Sequence, residues 1–239
     1  VNLLEIIDKG GISMYPLLFL SVLSIATILE RLWFWSRVVF KEKKIFNQIM
    51  EAAERNWDLV SKIALEHIHH PLGNFVYSPF KLANPDPDMF HIALESAAEE
   101  ELARMRKGDK ILEAIIALSP LLGLFGTVWG LIKALSSIKI SDLGTADSSG
   151  VTLGIGESLI STATGLLVAI VSLAFYRLFQ AFWANQVRVL RRTGSRLEVM
   201  YRDRWMNLES DDAAMVVNND EYSFVNIKQP GREQYTSEQ

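Results

Sequence analysis

Three stretches of the chain lack charged side chains for long enough to cross a bilayer, whose hydrocarbon core takes about 20 apolar residues as helix. The first, GISMYPLLFLSVLSIATIL, covers 11–29; Glu30 and Arg31 close it and residues 32–35 extend it. The second runs over 114–132 between Glu113 and Lys133, and the third over 151–176, closed by Arg177 and interrupted only by Glu157. Three such runs are too many for the interior of one soluble helical protein. Ahead of the first, VNLLEIIDKGG sets Glu5 and Asp8 against Lys9 and offers no small-residue cleavage site. The first run therefore reads as a retained helix rather than a signal peptide.

Between the runs the apolar residues recur at helical intervals. EKKIFNQIMEAAERNWDLVSKIALEH shows this, as does MFHIALESAAEEELARMRKGDKILEAI, which is expected to pass unbroken into the second run. HPLGNFVYSPFKLANPDPD, carrying Pro71, Pro79, Pro85 and Pro87, reads as a turn between them. Beyond Arg177 the third helix is expected to continue with aromatics on one side and arginines on the other, and from Asp211 the polar, acidic composition predicts disorder. The expected fold is all-α, an integral membrane protein with three transmembrane helices and long cytoplasmic helical extensions. Its segments are residues 1–35 (N-terminal segment and first span), 36–110 (helical hairpin), 111–136 (second span), 137–150 (short loop), 151–176 (third span), 177–210 (helical extension) and 211–239 (tail).

Lysine and arginine near the helix ends set orientation. Arg31, Arg37, Lys41, Lys43 and Lys44 follow the first run, Arg104, Arg106, Lys107 and Lys110 precede the second, and Arg177, Arg188, Arg191, Arg192 and Arg196 follow the third. The other side has Lys9, Lys133 and Lys139. The N-terminus is thus expected outside, residues 36–110 inside, the loop outside and the C-terminus inside. A net charge of −4 over 239 residues gives no nucleic-acid footprint, and the absence of cysteine excludes disulfides and thiolate-bound metals.

Candidate chemistry is sparse. His67, His69 and His70 have no carboxylate at a metal-motif spacing and read as a solvated helix end. GVTLGIGES lacks the Gly-Lys-Ser/Thr of a phosphate loop, and there is neither a Ser/His/Asp constellation at motif spacing nor HExxH. The sequence therefore points away from an enzyme and offers no metal or cofactor site.

The second and third runs carry the distinctive pattern. On a helical wheel Ser119, Gly123, Gly126, Thr127, Gly130, Ala134 and Ser137 share an arc of about 100°. Such small-residue stripes let helix backbones approach one another in lipid. In the third run Glu157, Ser158, Ser161, Thr162, Thr164, Gly165 and Ser172 share an arc of about 160°, with aliphatic residues opposite. An intramembrane carboxylate costs several kcal/mol unless paired, protonated or hydrated. Glu157 is read either as lining a wet pore with Thr127 and Thr162, or as sitting near a helix N-terminus within reach of interfacial water.

SPLLGLFGTVWGLI, followed by a short loop and GIGESLISTATGLLVAIVSLAFYRLF, resembles the MotA/TolQ/ExbB proton-channel family. So does YPLLFLSVLSIATILERLWF with its Glu-Arg ending, and the resemblance covers residues 11–196. It implies a multi-pass protein of the bacterial inner membrane, N-terminus periplasmic and C-terminus cytoplasmic, forming a homopentamer around two copies of a single-helix partner of the ExbD or TolR type. That partner's membrane aspartate would shuttle protons and drive a TonB- or TolA-type effector. The family's pore threonines carry over to Thr127 and Thr162 and its glutamate to Glu157; Gly123, Gly126, Gly130, Ser161, Thr164 and Gly165 would line the pore or pack helices. The expected partners are membrane lipid and these proteins, not nucleic acid. The ExbB type, energising TonB-dependent uptake, is preferred on overall likeness, with the TolQ type as alternative. The MotA type, with four membrane helices, is set aside. A scaffold that conducts nothing would explain the glycines but not the threonines and Glu157.

Overall fold

The computed structural model describes the backbone of residues 12–136 and 148–227, and the side chains of 12–136, 155, 156 and 158–210. Every regular element among them is helical: α1 (Met14–Arg55), α2 (Trp57–Glu66), α3 (Pro71–Tyr77), a 3₁₀ turn (Ser78–Lys81), α4 (Pro87–Met105), α5 (Asp109–Ser136) and α6 (Ser148–Ile227). Three helical stretches are long and apolar enough to cross a membrane, lying within Met14–Arg55, Pro87–Ser136 and Ser158–Ser210. The expected loop over 137–150 falls mostly outside the described residues.

Local chemistry explains where the helices start and stop. Pro16 sits in the first turn of α1, where its missing N–H breaks no helical bond. α1 ends at Arg55 because Asn56 takes an extended φ of −159° and caps α2, its side chain accepting from the Asp58 N–H at 2.8 Å. The proline-rich stretch expected as a turn instead holds α3 and the 3₁₀ turn. Pro71 and Pro79 stand at helix starts, positions that suit a fixed φ and need no N–H donor. His70 is buried rather than solvated, its Nδ1 accepting from the Leu72 N–H at 3.2 Å as the α3 cap.

Two further expectations are corrected. α4 does not pass unbroken into α5: the chain turns over 106–108, and Gly108 adopts φ +89°, the left-handed region that ends helices and favours glycine. A Cβ there would also lie 3.1 Å from Arg31 Nε. Gly108→Ala is expected to destabilise the protein by about 1–2 kcal/mol, read as a lowered melting temperature of the detergent-solubilised chain. The polar stretch after 210 continues as helix to Ile227, since a long helix propagates cheaply and meets no Pro or Gly before Pro230.

The chain divides into two compact units. One comprises residues up to Ile45 together with Ala98–Leu190, the other Phe46–Ala97 together with residues from Arg191 onward. In the first, α1 and α6 run parallel. Ser13 pairs with Ser161 and Ser24 with Ser172, both at 2.7 Å, and Trp35 packs on Phe182 at 5.6 Å between ring centroids. α5 runs against both: Gly126 lies beside Ser13 while Gly108 lies beside Thr27 and Arg31, and Gly123 meets Thr162 while Ser119 meets Gly165.

The second unit is built on aromatics. Phe90 of α4 stacks on Tyr201 of α6 at 4.1 Å and 9°, with Trp57 of α2 edge-on to both. Tyr201 donates to the Pro85 carbonyl at 2.6 Å, and burial pushes its phenol up from the ordinary value. His91 bonds Glu198 at 2.8 Å, and that hydrogen bond and the carboxylate's charge hold the imidazole above its ordinary value. A raised histidine makes the folded state the better proton binder. This contact therefore contributes fully below the ordinary imidazole pKa and is lost as pH rises through the raised one. Both groups are partly exposed, so the effect is small. The wild type is expected to lose a little melting temperature as pH rises through the raised His91 pKa, and His91→Gln is expected to flatten that fall.

Candidate functional site

The small residues of α5 form its buried face: Ser119, Gly123, Gly126, Gly130 and Ala134 are all inaccessible. They pack inside the subunit. A Cβ on Gly123 would lie 3.0 Å from the Thr162 Cα and 3.2 Å from the Ser161 carbonyl oxygen, so α5 and α6 meet backbone to backbone. A Cβ on Gly165 would overlap the Ser119 carbonyl oxygen, and one on Gly126 would overlap the hydroxyls of Ser13 and Ser161. Without a hydrophobic force between helices in lipid, this close packing is a main source of their association.

Hydroxyls fill the seam, and most find a partner where no water would serve them, the buried Ser119 Oγ being the exception. Beyond the two Ser–Ser pairs joining α1 to α6, Ser158 donates to the Ile155 carbonyl, Thr164 to Ile160 and Thr27 to Leu23, at 2.7–2.8 Å. Thr162 differs, donating across helices to the Gly123 carbonyl at 3.0 Å. Thr127 bonds within α5 to Leu124 O at 2.6 Å. Thr127 is four residues from Gly123, about 6 Å by helical rise, so the two threonines lie at neighbouring levels, each bonded to a different backbone carbonyl. Thr127, Thr162 and Thr164 are half-buried, whereas Ser158, Ser161 and Ser172 are enclosed. The hydroxyl stripe of α6 is thus divided: Ser161 and Ser172 bond α1, while its threonines keep partial access. Glu157 falls outside the residues whose side chains are described.

The sequence pattern gave no notice of a second polar layer at the basic end of the spans. Arg31 is 3% exposed; its Nη1 donates to the Met105 carbonyl at 3.3 Å, and its Nε has no partner. A cation at the end of α4 meets the negative pole of that helix. Tyr176 donates to Glu113, and Gln180 Nε2 donates to Tyr176 at 2.6 Å. Asp109, 7% exposed, lies 3.5 Å from Arg106 Nε. Burial raises the Asp109 carboxyl above the ordinary range, opposed by Arg106 and Arg31 and reinforced by the charge of Glu113. A polar residue at each edge of an apolar run was the available signal; the pairing of residues 63 positions apart was not.

Outside the spans, His67 bonds Gln48 at 3.3 Å. Among the described residues no group of histidines and carboxylates is placed to hold a metal.

Three long apolar helices, closed on one another by glycines and hydroxyls, define an all-helical membrane protein with a polar seam. Residues 67–192 match the MotA/TolQ/ExbB proton channel family. The chain is also 43% identical over 205 residues to the biopolymer transport protein ExbB-like 1 of Synechocystis sp., covering 85% of this chain and 81% of that one. It is 34% identical over 193 residues to ExbB-like 3 of the same organism, covering 81% and 92%. The biopolymer transport protein ExbB of Salmonella typhimurium is 43% identical over 75 residues, 31% of this chain and 30% of that protein. The chain belongs to the MotA/TolQ/ExbB proton channel family.

Proposed function

We propose that this protein is the proton-conducting subunit of an ExbB-like motor in the bacterial inner membrane, using the proton motive force with an ExbD-type partner to energise TonB-dependent outer-membrane transport. The single observation that carries the reading is the divided hydroxyl stripe of α6. Ser161 and Ser172 bond α1, while Thr162, and Thr127 at a neighbouring level, stay partly exposed, as residues lining a path outside the subunit would be. Glu157 completes the polar set in this reading.

Five copies would surround two partner helices, with the N-terminus periplasmic, the C-terminus cytoplasmic, and residues 36–110 and 177–210 as cytoplasmic extensions. One proton falling through 100 mV releases about 2.3 kcal/mol, so several suffice for a rotation step of the partner helices. The excess of Lys and Arg at one end of all three spans supports this orientation. The test is proton uptake by vesicles holding the full chain with its single-helix partner under an imposed potential. Flux that depends on Thr162 supports the reading; flux equal to that of protein-free vesicles favours a non-conducting scaffold. A TolQ-like role would show as complementation of a tolQ defect and not of an exbB defect.

A further inference from the structure

The basic end of the three spans holds an arrangement that the threonine path does not use. A cavity of about 270 Å³ is lined by Arg106, Asp109, Gln180, Trp183 and Ala184. Asp109 is buried beside it, one helical turn from Glu113 on α5. The hydrogen bonds around Glu113 run in one direction: Gln180 donates to Tyr176, which donates to the Glu113 carboxylate. An amide N–H cannot hand on a proton as a hydroxyl can, so this chain fixes Glu113 in place and leaves Asp109 as the carboxyl bordering the cavity. The charged and titratable groups around Asp109 are Arg31 from α1, Arg106 from the α4–α5 turn, Glu113 from α5 and Tyr176 from α6. Trp183, whose Nε1 donates to the Leu102 carbonyl at 3.2 Å and whose ring lies under Arg106 at 5.3 Å, closes one wall.

We propose that Asp109 is a proton-binding station at the basic end of the spans, exchanging protons with water in this cavity, and that Glu113, held by Tyr176 and Gln180, is its positioning partner. The proposal rests on the proton-conducting reading and extends it. In the step itself the Asp109 carboxylate takes a proton from a hydronium ion arriving along the path, forming one O–H bond. It then gives the proton to cavity water, breaking that bond, with no change of oxidation state. Burial and the neighbouring Glu113 raise proton affinity at Asp109 while Arg106 and Arg31 limit it, so the site loads and unloads without trapping the proton.

The experiment measures proton flux, against pH on the basic side, in vesicles holding the full chain and its partner. Asp109→Asn is expected to lower flux by about a hundredfold, and Asp109→Glu to restore most of it. Glu113→Gln removes a negative charge beside Asp109 and is expected to move the midpoint of the pH profile downward. Wild-type flux and midpoint in Asp109→Asn, with Thr162→Ala inactive, would overturn the station and leave the conduction reading standing. Loss of flux in both Asp109 variants, with no midpoint shift in Glu113→Gln, would reduce Asp109 to a structural role and also overturn it. Wild-type flux no greater than that of protein-free vesicles overturns the conduction reading and the station together.

Discussion

Thr162→Ala is expected to abolish proton uptake by vesicles holding the chain and its partner, while the subunit still folds and assembles. The hydroxyl has a structural partner in the Gly123 carbonyl at 3.0 Å, so loss of function could follow from a loosened α5–α6 seam as well as from a lost proton path. Magnitudes separate the two. Deleting one neutral hydrogen bond costs about 1 kcal/mol, and alanine returns up to about 0.7 kcal/mol of helix propensity. The melting temperature should therefore move by a few degrees at most, whereas flux should fall to background. Thr162→Ser keeps the hydroxyl and should keep flux; Thr162→Val keeps the shape and should not. Flux retained in Thr162→Val would remove this hydroxyl from the path.

A large effect on folding is expected at Gly165. A Cβ there overlaps the backbone oxygen of Ser119 and lies 3.2 Å from the Gly123 Cα. Neither atom belongs to a flexible side chain, so relief requires α5 and α6 to separate. Overpacking of a tight core costs about 1–3 kcal/mol, and a separation would also release the Thr162–Gly123 bond and the other glycine contacts of the seam. Gly165→Ala should lower the melting temperature sharply, and Gly165→Leu should yield no folded subunit. Gly156 supplies the contrast: a Cβ at that position of α6 meets nothing within 4 Å. Gly156→Ala should be neutral or stabilising by up to about 1 kcal/mol. Equal melting temperatures for Gly165→Ala and Gly156→Ala in detergent would show that the seam is not tight.

The sequence made the spans legible because the absence of charge over a bilayer's thickness is a one-dimensional property. The buried face of α5 was legible too, since Ser119, Gly123, Gly126, Gly130 and Ala134 fall on one side of any helix drawn through them. What lies against that face was not, because Gly126 meets Ser13 and Ser161, which no local pattern links. Ser161 could be read as lining a pore or packing helices, and no local pattern pointed to the partners on α1, 148 positions away, that it and Ser172 bond. The break between α4 and α5 did leave a signal: glycine after a basic helix end, followed by Asp109, is a stop and a restart. Helical periodicity on both sides concealed it. Pro71 and Pro79 were misread for a related reason, since proline ends helices but also begins them. His70 looked solvated because it stood among other histidines, and only the fold shows it capping α3.

The pairs Ser13–Ser161 and Ser24–Ser172 share one sequence offset and stand eleven residues, about three turns, apart on both helices. Adding one residue to either helix between the pairs would rotate everything beyond it by about 100° and turn the far serine out of the seam. Length in this part of the molecule is therefore quantised: α1 and α6 can gain or lose residues there only together. The exposed residues 82–84, between the 3₁₀ turn and α4, are where tags, fluorescent domains or natural insertions should be accommodated without disturbing the spans.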